Sequence, residues 1–206
     1  MKRFERFGPV LGILGGLLWL GLPFWPPDCV PVVASSEVLC NRLWTPALGA
    51  MLIGAIVLQR RQGRQTREPL KGLRLLVIAF ALMAFGNGLE YWVAFGLPHQ
   101  GGIGAVVRGV LWMSALAGWL IALIASAVAG ASALRRRHGG TSPAAGGRWP
   151  AAGGRWPAAL LIVPLPLTVI LGALSVGYAP MAVGVLSMIS GWVGLAATPE
   201  PNEAPV

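Results

Sequence analysis

Long apolar runs alternate with connectors in this chain, and the basic residues occupy every second connector. Lys2, Arg3 and Arg6 precede the first run; Arg60, Arg61, Arg64, Arg67, Lys71 and Arg74 fill the connector after the second; Arg135, Arg136, Arg137, Arg148 and Arg155 fill the one after the fourth. Of 16 Lys and Arg residues, only Arg42 and Arg108 fall elsewhere. Cytoplasmic loops of membrane proteins carry such an excess of Lys and Arg, so the pattern predicts a polytopic membrane protein with its amino terminus, second loop and fourth loop in the cytoplasm.

Composition leads to the same solvent by another route. A chain of 206 residues that is 55% hydrophobic and 11% charged, with mean hydropathy +0.69, has more apolar surface than one soluble core of its length can hide. Spanning roughly 30 Å of hydrocarbon takes about 20 helical residues, whereas barrel strands would be half as long and would alternate. No such alternation is visible, and the expected fold class is all-α, a polytopic transmembrane helical bundle. The net charge of +9 does not imply a nucleic-acid partner, because the cations lie in clumps between apolar runs rather than along amphipathic faces. Arg far outnumbers Lys, and Ala, Gly and Pro abound, a composition in keeping with a GC-rich bacterium; the expected location is a plasma or inner membrane of bacterial type.

Six spans are expected, at about 9–25, 43–59, 73–96, 103–134, 158–177 and 180–197. The first is read as uncleaved, because Pro23, Phe24, Trp25, Pro26 and Pro27 offer no small-residue cleavage site. Pro46 suits the first turn of the second helix. Gly96, Pro98, Gly101 and Gly102 mark a tight outer turn between the third and fourth. The fourth is longer than a bilayer requires and must tilt, kink or project. Pro164 and Pro166 should kink the fifth helix or delay its start. The fifth and sixth are separated only by Gly177, Tyr178, Ala179 and Pro180, so five spans are the alternative, with the tail 198–206 outside rather than inside. The loop 135–157 holds a perfect tandem copy, AAGGRWP at 144–150 and again at 151–157. It reads as a duplication tolerated in a surface loop or, alternatively, as a segment laying Arg148, Trp149, Arg155 and Trp156 on anionic headgroups.

Helices in lipid associate through close backbone approach, which small residues at four-residue spacing permit. Ser114, Gly118, Ala122, Ser126 and Gly130 form such a face on the fourth span; Gly8, Gly12 and Gly16 on the first and Ala50 and Gly54 on the second are shorter examples. Whether these faces join helices of one chain or of two is open at this level. Trp25, Trp44, Tyr91 and Trp92 fall near outer ends and read as an interfacial belt.

Cys29 and Cys40 share the first outer loop, where a disulfide is expected, closing a short loop for a few kcal/mol at most. Their separation is not that of a Cys-x-x-Cys redox motif. Glu90 is the one acid inside an apolar span, a costly placement that marks a candidate functional residue. Counted from the outer turn, Glu90 and Arg108 each lie about six residues, or roughly 9 Å, into their helices. An ion pair between them is expected, either pinning the hairpin or forming a proton or cation site with Asn87 one turn away and His99 in the turn above.

Nothing else carries chemistry. There is no His and carboxylate set at metal spacing, no phosphate-cradling glycine loop and no serine elbow, so neither a metal nor a cofactor is implied. Three function classes follow: a small non-enzymatic polytopic protein, acting as a subunit or partner in a membrane assembly or as a homo-oligomer; a small-solute or proton-linked transporter using Glu90; and a membrane-embedded enzyme, for which no nucleophile, base and oxyanion donor come together in the sequence.

Overall fold

The computed structural model describes residues 2–21, 37–65, 70–97, 101–138, 156–174 and 181–196, and among these every regular element is helical. The described residues make six helical passes. Helices α1 (Lys2–Gly21) and α2 (Glu37–Gln65) are the first two; α3 (Leu73–Gly88) runs on through a π-helical turn (Leu89–Val93) and a 3-10 turn (Ala94–Gly96); α4 (Gly102–His138) is the fourth. The fifth is composite, with α5 (Trp156–Ala159), a 3-10 turn (Leu160–Ile162) and α6 (Pro164–Leu174), and α7 (Met181–Ala196) is the sixth. Among the described residues three stretches are long and apolar enough to cross a membrane, Arg42–Gly63, Leu73–Val93 and Gly102–Arg135; Phe7–Gly21, Leu160–Leu174 and Met181–Leu195 are apolar but shorter.

Hydropathy and helix boundaries part company at the charged ends. The first helix begins at Lys2, ahead of the span expected at 9–25, whose residues 22–25 lie outside the described ones, and the second, Glu37–Gln65, extends past 43–59 at both ends, because Lys, Arg and Glu are good helix formers although they end an apolar run. Pro46 accordingly lies inside α2 and not in its first turn, and it supplies no N–H for the helical bond one turn back. Pro164, by contrast, opens α6 directly after the 3-10 turn, the position at which a proline costs no helical bond. Thr168 Oγ1 donates to the Pro164 carbonyl at 2.8 Å and closes the first turn of α6 from within.

Small residues set how closely the passes approach and in which direction they run. A Cβ placed on Gly54 of α2 would meet the Gly12 Cα at 2.7 Å, and one on Gly15 of α1 would meet the Ala47 carbonyl oxygen at 2.7 Å. A Cβ on Gly16 would meet the Gly184 carbonyl oxygen of α7 at 2.5 Å, and one on Gly191 the Pro9 carbonyl oxygen at 2.5 Å. These pairings make α1 antiparallel to both α2 and α7. Gly86 of α3 lies against Leu111 and Ser114 of α4, and Gly118 against Ala79, so α3 and α4 form an antiparallel hairpin. Gly130, near the carboxyl end of α4, lies against Ala159 and Ile162 of the fifth pass. Direction therefore reverses at each pass, and α7 ends beside the start of α1 and the end of α2. Gly72 (φ 96°) starts α3 in a backbone conformation open mainly to glycine while packing on Ala125 of α4.

The end of α7 is tied down by a charge. Arg61 of α2, 9% exposed, donates through Nη1 to the Gly194 carbonyl at 2.5 Å, meeting an oxygen of the last helical turn that has no donor within the helix. Removing it in Arg61→Leu should lower stability by about 2 kcal/mol, the scale of a charged hydrogen bond to an otherwise unpaired buried acceptor. Thermal unfolding of the purified protein in detergent checks this, with Arg60→Leu, an exposed neighbour, as the unchanged control.

The interior mixes Leu48, Met51, Leu58, Leu76, Phe80, Val183 and Leu186 with many alanines and with Ser126, Ser187 and Ser190. The serine hydroxyls are used locally or across the α1–α7 contact, where Ser187 Oγ donates to the Gly12 carbonyl at 2.7 Å. Bulky apolar side chains face outward along whole helices, among them Leu14 and Leu17 on α1, Ile78 and Phe85 on α3, Val106, Val110, Trp112 and Ile124 on α4, and Val169, Ile170 and Leu174 on α6. Exposed apolar surface of this extent marks a surface that contacts a membrane or another protein.

Candidate functional site

The polar cluster at the end of the bundle opposite the basic connectors is built around the last turns of α3. Gly86 permits contact with α4, where a Cβ would lie 2.7 Å from the Leu111 carbonyl oxygen, and Gly88 permits contact with α2, where a Cβ would lie 3.2 Å from Thr45 Cγ2. Between these two approaches the helix widens. The Leu89 N–H is shared between the Gly86 and Phe85 carbonyls, and the Ala94 N–H bonds to the Leu89 carbonyl, five residues back. Such a π turn shifts the phase of everything beyond it and is frequent at functional sites.

Glu90 is the second residue of that turn. It is 7% exposed, and Arg108 of α4 is 8% exposed. Arg108 Nη2 stands 3.9 Å from Glu90 Oε1, an ionic separation longer than a direct hydrogen bond. Shielded from water on both sides, the two charges lower each other's burial cost.

Asn87, 8% exposed and one turn before Glu90, belongs to a directed chain of hydrogen bonds. Trp92 Nε1 donates to Thr45 Oγ1 at 3.2 Å, and Thr45 Oγ1 donates onward to Asn87 Oδ1 at 2.8 Å. With its hydroxyl both accepting and donating, Thr45 locks the amide of Asn87 and ties α2 to both sides of the π turn. Arg42 completes the cluster: its Nε donates to the Tyr91 carbonyl at 2.9 Å, and its Cζ lies 5.4 Å from the centroid of the Trp92 ring, within cation–π range. The two arginines that stand outside the basic connectors thus both meet one turn of α3. Arg42 and Thr45 are the members that sequence reasoning missed. The available signal was that Arg42 broke the alternation of the other cations.

The face Ser114, Gly118, Ala122, Ser126 and Gly130 lies within the chain, with Gly118 on Ala79 and Met83 of α3 and Gly130 on the fifth pass. Ser114 and Ser126 turn their hydroxyls back to the Leu111 and Leu123 carbonyls at 2.7 and 2.8 Å. Trp44 is not part of an outward belt: it packs on the core and against Trp19, with ring centroids 4.8 Å apart and planes 34° apart. Trp92 does face outward, at 60% exposure. His99, Trp25, Cys29 and the side chain of Cys40 lie outside the described residues, and so therefore does the expected disulfide. The tandem repeat lies outside them as far as residue 155; Trp156 and Pro157 open α5. Among the described residues no three His, Cys, Asp or Glu side chains gather as metal ligands would.

Chemically, the cluster offers two guanidinium groups and one carboxylate. Comparison with known proteins adds no assignment, since no protein-family model, no curated protein and no solved structure matches the chain.

Proposed function

We propose that the chain is an integral membrane protein that crosses the bilayer six times with both ends in the cytoplasm, and that it serves without enzymatic activity as a subunit or partner in a membrane assembly. One observation carries the membrane part: bulky apolar side chains face outward along entire helices, while glycine, alanine and serine mediate the helix contacts. Close small-residue packing is how helices associate where lipid removes the hydrophobic drive between them. Reversal of direction at each pass, together with the alternation of basic connectors, supports six crossings rather than five and puts the tail 198–206 on the side of Lys2, Arg3 and Arg6. The short passes α1, α6 and α7 fit a bilayer through tilting of their neighbours and local thinning. The subunit role is supported by the architecture of the loops, which leave little chain for a soluble catalytic domain, and the membrane by composition is the plasma or inner membrane of a bacterium.

Alkaline carbonate extraction followed by purification in mild detergent tests both parts. The protein should stay in the membrane pellet and should bring a stoichiometric partner chain with it. Release into the carbonate supernatant defeats the membrane claim; a pure monomer with no partner defeats the subunit claim.

A second reading, a solute or proton-linked transporter, is favoured by one observation, the burial of Glu90 on a π turn opposite Arg108. Glu90→Gln should then abolish a proton-coupled flux in reconstituted vesicles while leaving the protein folded. Unchanged flux removes this role.

A further inference from the structure

The start of α3 presents two exposed cations at the head of an apolar face. Lys71 and Arg74 make no hydrogen bond or ion pair among the described residues, whereas Arg42, Arg61 and Arg108 are engaged by the Tyr91 carbonyl, the Gly194 carbonyl and Glu90. The backbone that carries the two open cations is held in place. Leu70 and Leu73, 3% and 2% exposed, anchor the turn on either side of Lys71, and Gly72 packs on Ala125 of α4. The Leu73 N–H donates to the Leu70 carbonyl at 3.4 Å, and the Leu76 N–H to the Gly72 carbonyl at 2.9 Å. From Arg74 the outward face of the helix continues through Leu75, Ile78 and Phe85, all exposed, with Leu82 half-buried before the last. Spacing of three or four residues keeps these side chains on one side of α3.

We infer that this face binds one anionic phospholipid of the cytoplasmic leaflet, its headgroup against Lys71 and Arg74 and an acyl chain along Leu75, Ile78, Leu82 and Phe85. Charge complementarity selects the sign of the headgroup, because the connector 59–74 carries six Lys and Arg residues and a single acid, Glu68. The two open cations also stand at the amino-terminal end of a helix that has no acid in its first turn and no side-chain cap, where the helix dipole disfavours positive charge. An anion at this point offsets both costs. Depth selects a lipid over an acidic protein segment or a free anion. Phe85 follows Arg74 by 11 residues, about 16 Å of helix, close to half of the roughly 30 Å hydrocarbon core, so the apolar face is as deep as one leaflet. Basic side chains directly cytoplasmic of such a face meet the headgroups at their own level. Because the turn is already fixed, binding orders two side chains and no backbone, which limits its entropic cost.

This inference rests on the membrane reading, but its test is separate, since carbonate resistance is unaffected by loss of one bound lipid. The purified, monodisperse protein is titrated with dioctanoyl phosphatidylglycerol, dioctanoyl phosphatidylcholine, dioctanoylglycerol and inorganic phosphate, and occupancy is read by native mass spectrometry. Phosphatidylglycerol should fill one tightest site, and the other three probes should bind roughly tenfold or more weakly. Equal binding of phosphatidylcholine or dioctanoylglycerol would show that the anionic charge is irrelevant, and equal binding of phosphate that the apolar face is; each overturns the proposal. Lys71→Gln combined with Arg74→Gln should weaken phosphatidylglycerol by roughly tenfold or more, while Lys71→Arg combined with Arg74→Lys should retain it. Arg60→Gln and Arg135→Gln, which remove the same charge from exposed positions on α2 and α4, should leave the affinity unchanged. An equal loss in those controls would mean a diffuse basic surface and no site. Full affinity in the Lys71→Gln, Arg74→Gln protein, or no lipid bound by the wild type, contradicts the assignment. Loss of a co-purifying partner chain in that variant, with lipid affinity unchanged, would assign the cations to protein docking instead.

Discussion

Glu90→Gln and Arg108→Met are each expected to destabilise the protein by about 3 kcal/mol, and the double variant to recover most of that loss. Each single change leaves the opposite charge buried without its ionic partner, and breaking a buried pair costs on the order of 3–5 kcal/mol. The lower end applies here, because the 3.9 Å separation is too long for a direct hydrogen bond. The double variant buries no charge, and removing both members of a buried pair costs far less than removing one. Chemical or thermal unfolding in detergent across the four proteins of the cycle measures the coupling. Additive effects would mean that the two charges do not interact. The same cycle separates structure from function: if the double variant regains the stability that Glu90→Gln alone loses, Glu90 serves to hold the α3–α4 hairpin.

The second large effect is steric. In Gly118→Leu, the new Cβ would lie 2.6 Å from the Ala79 carbonyl oxygen and 3.0 Å from the Met83 nitrogen, both backbone atoms that cannot rotate away. Overpacking of this kind costs about 1–3 kcal/mol and more when the neighbour is rigid, so folded yield should fall sharply. Ala117→Leu, one residue away on the exposed face of α4, is the control and should be tolerated. Monodispersity on size exclusion and unfolding temperature report both. Because the face is buried within the chain, loss of folding rather than a change of oligomeric state is the expected result.

Which features could be read in the sequence follows from how local their causes are. A small-residue face at four-residue spacing needs only helical geometry, so Ser114, Gly118, Ala122, Ser126 and Gly130 are visible without any partner being known. The approach of Glu90 to Arg108 needs only a tight turn and equal counts on either side of it. Arg42 and Thr45 meet the same site across the α2–α3 contact, which no local spacing encodes, and the π turn at Leu89–Val93 changes the phase by which faces are counted. The Arg61 bond to Gly194 joins residues 133 apart and was hidden among a run of cations that topology alone explains. Trp44 shows the opposite failure. Its place near a helix end suggested a belt, while its contact with Trp19 comes from the close approach that Gly15 allows between α1 and α2. Helix ends were obscured for a simpler reason, since charged residues stop an apolar run without stopping a helix.

The sidedness of the connectors tests the proposed six crossings of the bilayer most directly. A reporter that is active only in the cytoplasm, inserted in turn at 66–69, at 139–155 and after Val206, should be active in all three places, and inactive at 98–100. Activity in the tail opposite to that at 66–69 would mean five crossings, and activity at 98–100 would contradict a membrane-spanning α3–α4 hairpin altogether.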